Sequence, residues 1–127
     1  MAFTTYLRNK VLDDVLGTAA FTAPSTVYVG LFTSATGAAG GGTEVSGNGY
    51  TRKAIAFDAA SAGASDNTSA VEFDTATGSW GTITHTAVLD ASTSGNMLME
   101  NALTASKAIA SGDVFRFQAG EFDVTLT

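Results

Sequence analysis

The sequence predicts a mainly β fold: a single antiparallel β-sandwich, jelly-roll-like, with seven or eight strands and one N-terminal α-helix. Three observations carry this. Short apolar stretches alternate with polar residues at period two, the pattern of strands with one buried face. They recur at roughly ten-residue spacing between Gly- and Ser-rich turns, which is how sandwiches and jelly rolls are written into sequence. One segment alone, near the N-terminus, has helical spacing. A chain of 127 residues fits one domain, 1–127, with a helix over 4–17 and strands and loops over 26–127, and neither a repeat nor a linker interrupts it.

In the N-terminal segment, Thr4 or Thr5 is suited to cap a helix that Gly17 ends. Leu7, Val11, Leu12, Val15 and Leu16 form its apolar stripe, leaving Arg8, Lys10, Asp13 and Asp14 for solvent. Three turns are marginal alone, so the stripe is expected to lie on a sheet or on a partner. The run Val27 to Phe32 is too short, β-branched and aromatic for a helix and reads as a central buried strand. Gly37 to Asn48 holds glycines at 37, 40, 41, 42 and 47 and is expected to be an exposed loop. Tyr50 to Phe57 is a strand with Lys53, Ile55 and Phe57 on one side and Arg52, Ala54 and Ala56 on the other. Ala59 to Asn67 is a second loop, and Val71 to Phe73 a short strand.

The clearest signal is Ser79 to Leu103. It carries the only Trp, Trp80, and the only His, His85. Ile83, His85, Ala87 and Leu89 are expected on one face and Thr82, Thr84, Thr86 and Val88 on the other. Asp90, Ser92, Ser94, Gly95 and Asn96 supply a turn before Met97 resumes, so the unit reads as a β-hairpin. Lys107 to Ile109 is a further extended piece, Ser111 to Asp113 a tight turn, and Val114 to Gln118 and Phe122 to Thr127 are the last strands, the final one reaching the last residue.

Composition narrows the function class. Only 14% of residues are charged against 45% apolar, well below the roughly 25% charged of ordinary soluble domains. A surface of Thr, Ser, Ala and Gly suits a chain packed against neighbours. A net charge of −6 argues against nucleic acid, since phosphate binding rests on Lys and Arg. With no cysteine, disulfides and thiolate metal sites are excluded. The N-terminus lacks the long apolar run of a signal peptide or membrane span, so the expected product is soluble and unprocessed.

The chemistry-bearing residues are few. His85 is the sole candidate base, and beside Ile83 and Leu89 it reads as a packing residue that bonds a threonine or a backbone carbonyl. One His and no Cys exclude a usual zinc site, and Asp66, Asn67 and Asp74 are potential calcium ligands without a DxDxDG loop. Asp13 and Asp14 point about 100° apart on a helix. The glycine-rich loop lacks GxGxxG and a Gly-Lys-Ser or Gly-Lys-Thr ending, which removes phosphate binding. Tyr6, Tyr28, Tyr50 and Trp80 are rings of the kind that stack on sugars, although Trp80 at a strand entrance reads as a core plug. Arg52 and Lys53, the only adjacent cations, serve either as an anchor for a carboxylate on another subunit or as a protected strand edge. No cofactor is expected.

The phrases YLRNKVLDDVLG, VYVGLFTS, GGTEVSGNGYTRKAIAF, ATGSWGTITHTAVLDASTSGNML and ALTASKAIASGDVFRFQAGEFDVTL, with the Ala-Ser-rich loop around Asn67, resemble a family of small tailed-bacteriophage virion structural proteins, often labelled tail-fibre proteins. The resemblance implies a place in the virion and carries over no catalytic or ligand residue. Shortness, acidity and the lack of heptads favour a capsid cement protein on the outer head surface, a homotrimer bound across major capsid subunits. A tail-fibre or tail-tip component is the alternative, and a carbohydrate-binding module the second. The contacts expected to meet other subunits are Leu7, Val11 and Val15 of the helix, Gly40, Gly41, Gly42 and Glu44 of the loop, and Arg52 and Lys53.

Overall fold

The computed structural model describes residues 1–126. Thr127, placed by sequence in the last strand, lies outside the described residues. In chain order the elements are β1 (Ala2–Phe3), α1 (Thr5–Val15), β2 (Val27–Phe32), β3 (Lys53–Ile55), β4 (Ala64–Ser65), β5 (Val71–Glu72), β6 (Gly81–Leu89), β7 (Met97–Ile109), β8 (Arg116–Phe117) and β9 (Val124–Thr125). A five-stranded sheet in the order β1-β7-β6-β2-β3 forms one layer, and two short ladders, β4 with β9 and β5 with β8, supply the other strands. Every pairing is antiparallel. The fold is mainly β with one helix, as the period-two pattern predicts, although its layers are unequal.

The predicted hairpin is the middle of the large sheet. β6 and β7 pair from Gly81↔Ile109 to Leu89↔Met97, so Lys107 to Ile109 is the far end of one long strand rather than a separate piece. Asp90 closes the turn: its carboxylate accepts from the Asn96 backbone N–H at 2.7 Å and from the Asn96 side chain at 3.0 Å. The expected alternation of β6 does not hold along its length. Its ladder with β7 is interrupted between Ile83↔Lys107 and His85↔Ala102, where one residue of β6 lies against four of β7. Ile83 joins the main core, Thr86 and Val88 lie opposite Leu31 and Val29, and His85 lies opposite Phe32 of a second cluster. An irregularity of this kind moves a side chain to the other face, so Ile83 and His85 do not share one.

The main core lies between the sheet and the ladders. Val29, Leu31, Ile83 and Ile109 of the sheet meet Val71, Phe73, Phe115, Phe117 and Phe122. Rings run through it in contact: Trp80 edge-on to Tyr50 at 5.5 Å, Phe115 to Phe117 at 4.9 Å and Phe117 to Phe122 at 4.5 Å. Such edge-to-face pairs add about 0.5–1.5 kcal/mol each beyond the area they bury. Trp80 is the core plug the sequence predicts, and its indole N–H donates to the Asn48 carbonyl at 2.9 Å.

Asn67, in the segment read as a loop, is a buried hub. Its amide donates to the carbonyls of Ser69 and Gln118, and its oxygen accepts from the Phe122 N–H at 2.9 Å. These bonds tie the 58–68 segment to the chain leading into β9, a connection for which no periodic pattern exists.

The helix differs from expectation in how it is held. Thr4 caps it, accepting from the Leu7 N–H at 3.4 Å, while its hydroxyl donates to the Met97 carbonyl at 2.6 Å and its N–H to the Leu98 carbonyl at 2.9 Å. The first turn is thereby bolted to β7. At the other end Gly17, at φ 78°, completes a cap in which the Gly17 N–H bonds the Asp14 carbonyl and the Thr18 N–H the Asp13 carbonyl. Between these ends only Leu7 is buried, against Val88 and Leu98. Leu12, Val15 and Leu16 remain 55%, 75% and 71% exposed. The predicted stripe is real as a pattern, but only its N-terminal part reaches the sheet.

Candidate functional site

Glu44, which follows the glycine run of the loop, and Arg52 meet over β2 of the large sheet. β3 follows β2 only as far as Val29↔Lys53, which leaves the Leu31 N–H without a strand partner. An unpaired buried N–H costs roughly 1–3 kcal/mol. Here the Tyr50 hydroxyl accepts it at 3.0 Å, and the Val45 N–H bonds the Leu31 carbonyl at 3.0 Å. The Tyr50 hydroxyl in turn donates to Glu44 Oε2 at 2.6 Å.

Arg52 then locks the arrangement. Its Nε and Nη2 grip the two Glu44 oxygens, each at 2.8 Å, and its Nη1 donates to the Ala91 carbonyl at 2.7 Å and the Ser94 carbonyl at 2.8 Å. One guanidinium therefore ties the glycine-rich loop, the strand entering β3 and the turn of the β6–β7 hairpin together. Its side chain is 8% exposed and that of Glu44 24%. The carboxylate sits directly over β2, where a Cβ on Gly30 would lie 3.0 Å from Glu44 Oε2 and 3.1 Å from Leu89 Cδ1. Any larger residue would crowd the carboxylate and oblige Glu44 or Leu89 to give by a few tenths of an ångström.

The electrostatics follow from this geometry. Burial raises the Glu44 pKa, but the hydrogen bonds from Arg52 and Tyr50 and the charge of Arg52 outweigh it, and the carboxyl ends below its ordinary value. The hydrogen bond to Glu44 raises Arg52. Burial, followed by the hydrogen bond to Glu44, pushes the Tyr50 phenol far above its ordinary range, so it remains a donor.

The glycine loop is folded back rather than free. Thr36 Oγ1 donates to Glu100 Oε1 at 2.9 Å, and the Gly37 N–H reaches the same oxygen at 3.2 Å. The Gly41 N–H bonds the Thr36 carbonyl at 2.8 Å, the Ala38 carbonyl accepts from the Thr5 N–H, and Gly42, at φ 93°, passes 3.0 Å beneath the Ala35 carbonyl as measured to an added Cβ. Gly40, Gly41 and Gly42 nevertheless keep exposed faces.

The other residues singled out by sequence are engaged within the chain. Lys53 pairs with Asp74 at 2.8 Å at the surface, where Lys53 and Thr51 hold the carboxylate below its ordinary pKa. His85 Nδ1 lies 2.8 Å from Thr84 Oγ1, the threonine contact expected of it. Tyr50 and Trp80 are taken up in the core and are not presented to a sugar. Among the described residues, no group of three or more His, Asp or Glu side chains is placed to hold a metal ion, and no helix is long and apolar enough to cross a membrane. Of the candidate contacts, Glu44 and Arg52 come together, Gly40 to Gly42 pack against Met97 and the 34–36 backbone instead, Lys53 stands apart with Asp74, and Leu7, Val11 and Val15 divide between the buried and free ends of α1. Tyr50 was missed as part of this cluster. A signal for it existed, since Tyr50 and Arg52 are two apart on an extended segment and share a face.

Two outcomes are expected of the lock. Arg52→Ala strands a mostly buried carboxylate and two carbonyls, and should lower stability by about 3 kcal/mol, read as a shift in the urea midpoint; Lys53→Ala, whose partner is exposed, should hardly move it. Because Glu44 titrates lower in the folded than in the unfolded chain, the unfolded chain takes up the proton first as pH falls. The stabilisation is complete well above pH 4.5, the carboxyl's ordinary value, and is lost as pH drops from there through the folded value. Urea midpoints measured against pH should therefore fall more steeply for the wild type than for Glu44→Gln in that acid window, and parallel curves would remove the lock from the account.

A family model described as "Podophage GP4 fiber I protein gp80" matches residues 2–125. No curated protein matches the chain.

Proposed function

The chain belongs to the podophage GP4 fiber I protein gp80 family, which makes it a bacteriophage virion structural protein, and from that premise we propose that it is a component of the particle's fibre rather than of its shell. The observation that carries this reading is the family match over nearly the whole chain, to a description that names a fibre protein. Shortness, acidity and the lack of heptads favour a capsid cement protein from sequence alone, and all three are equally compatible with a β module joined to other fibre parts.

The structure supports an assembly role in a second way. The adjacent cations have in-chain partners and the distinctive rings lie in the core, while the last turn of α1 offers Leu12, Val15 and Leu16 to solvent. Exposed apolar groups of this kind mark surfaces that meet other proteins. The role read here is structural and non-catalytic, and its partners are other virion proteins and copies of the chain. The engagement of Tyr50 and Trp80 in the core weighs against a carbohydrate-binding module.

Copy number and position test this reading together. Quantitative mass spectrometry of purified virions should find roughly a few dozen copies or fewer, in keeping with a symmetric appendage, and gold-labelled antibody should decorate the tail region. Hundreds of copies with label spread over the head would replace the fibre reading with the cement one.

A further inference from the structure

We propose that copies of this chain associate head to tail, the free C-terminal turn of α1 from one copy seating in a groove between β7 and β8 of the next. β1 covers the outer edge of β7 only at Met99 and Glu100, and beyond them that edge has no strand partner among the described residues. Between it and β8 opens a groove of about 490 Å³, within the size range of sites that take up small groups of side chains or ligands. Leu103, Phe117, Phe122 and Met1 give it apolar lining, and Lys107 and Arg116 line it as well.

The charges select the occupant. Of the six cations, Arg52 and Lys53 are ion-paired, Arg8 donates to the Phe3 carbonyl and Lys10 lies 5.7 Å from the centre of the Tyr6 ring. Lys107 and Arg116 make no side-chain hydrogen bond or ion pair among the described residues, although the chain as a whole is acidic. Among the described residues Glu121 is the only carboxylate lining the groove, and one of its oxygens accepts from the Gln118 N–H at 2.9 Å. α1 carries the complement. Its last turn presents Leu12, Val15 and Leu16 beside Asp13 and Asp14, with no basic residue. Each of these carboxylates has one oxygen bonded within the chain, to the Thr18 hydroxyl at 3.1 Å and the Phe21 N–H at 3.4 Å, and keeps its charge and its second oxygen for a partner. Carboxylates at a helix C-terminus add to the negative end of its dipole, an arrangement unfavourable in the free chain and favourable against cations. An apolar tip ringed by negative charge thus matches an apolar trough carrying positive charge. The two patches are different surfaces, so the contact is heterologous and propagates into a ring or a filament. The inference concerns how copies meet and stands apart from where in the particle they sit.

Sedimentation of the purified full chain over a concentration series tests it. The wild type should self-associate. Val15→Glu with Leu16→Glu should weaken association at least about a hundredfold, as expected when two aliphatic side chains lose their burial, and Lys107→Glu with Arg116→Glu should weaken it at least tenfold. Circular dichroism and Trp80 emission should be unchanged in both variants, since all four side chains lie outside the core. Mixing the two variants is the sharper measurement, because each keeps one intact half: the mixture should form a one-to-one heterodimer and nothing larger. A wild type that stays monomeric throughout, variants that associate as the wild type does, or a mixture that remains monomeric would each overturn the proposal. The fibre reading is untouched by this result, since it rests on copy number and position in the virion.

Discussion

The guanidinium of Arg52 joins the glycine-rich loop, the segment entering β3 and the β6–β7 turn at a single group. It neutralises a carboxylate that would otherwise lie uncompensated over β2, and it satisfies two carbonyls in the hairpin turn. That carboxylate orients the Tyr50 hydroxyl, which completes the hydrogen bonding of β2 where β3 departs. A sheet face that would expose an edge is thus closed by polar groups whose partners are all local. Planar, bidentate geometry is what makes this possible, and lysine would not supply it.

This closure determines which surfaces remain for assembly. With the glycine-rich segment bonded to Glu100 and to the first turn of α1, much of the region of greatest backbone freedom is fastened to the sheet. The helix is treated in the opposite way. Thr4 fastens its first turn to β7, whereas its last turn has no apolar neighbour to cover it. Such a division suits a virion structural protein, since a rigid body with one protruding apolar contact loses little conformational entropy when it docks.

Much of the architecture was legible because it rests on local pattern. The β6–β7 hairpin, the buried strand Val27–Phe32, the caps at Thr4 and Gly17 and the packing of Trp80 all follow from periodicity, turn chemistry or residue size. What escaped has physical reasons. Strands of two residues such as β1 and β4 are too short to display a period. The interruption after Ile83 arises from a mismatch with the partner strand, which the sequence of β6 alone does not contain. Thr36 and Glu100 are 64 positions apart, so their bond leaves no sequence signature. The helix stripe was visible, but a stripe says that an apolar face exists and not how much of it the same chain covers.

The central claim is that the Glu44–Arg52–Tyr50 cluster makes this face a closed, rigid part of the fold. Native-state hydrogen exchange at the Leu31 amide tests it most directly, because that N–H is held by Tyr50 and not by a strand. The account predicts exchange as slow as that of the β6 amides in the wild type, and faster by orders of magnitude in Arg52→Ala while the β6 amides away from the hairpin turn retain much of their protection. A Leu31 amide that exchanges in the wild type as fast as those of exposed loops would contradict it.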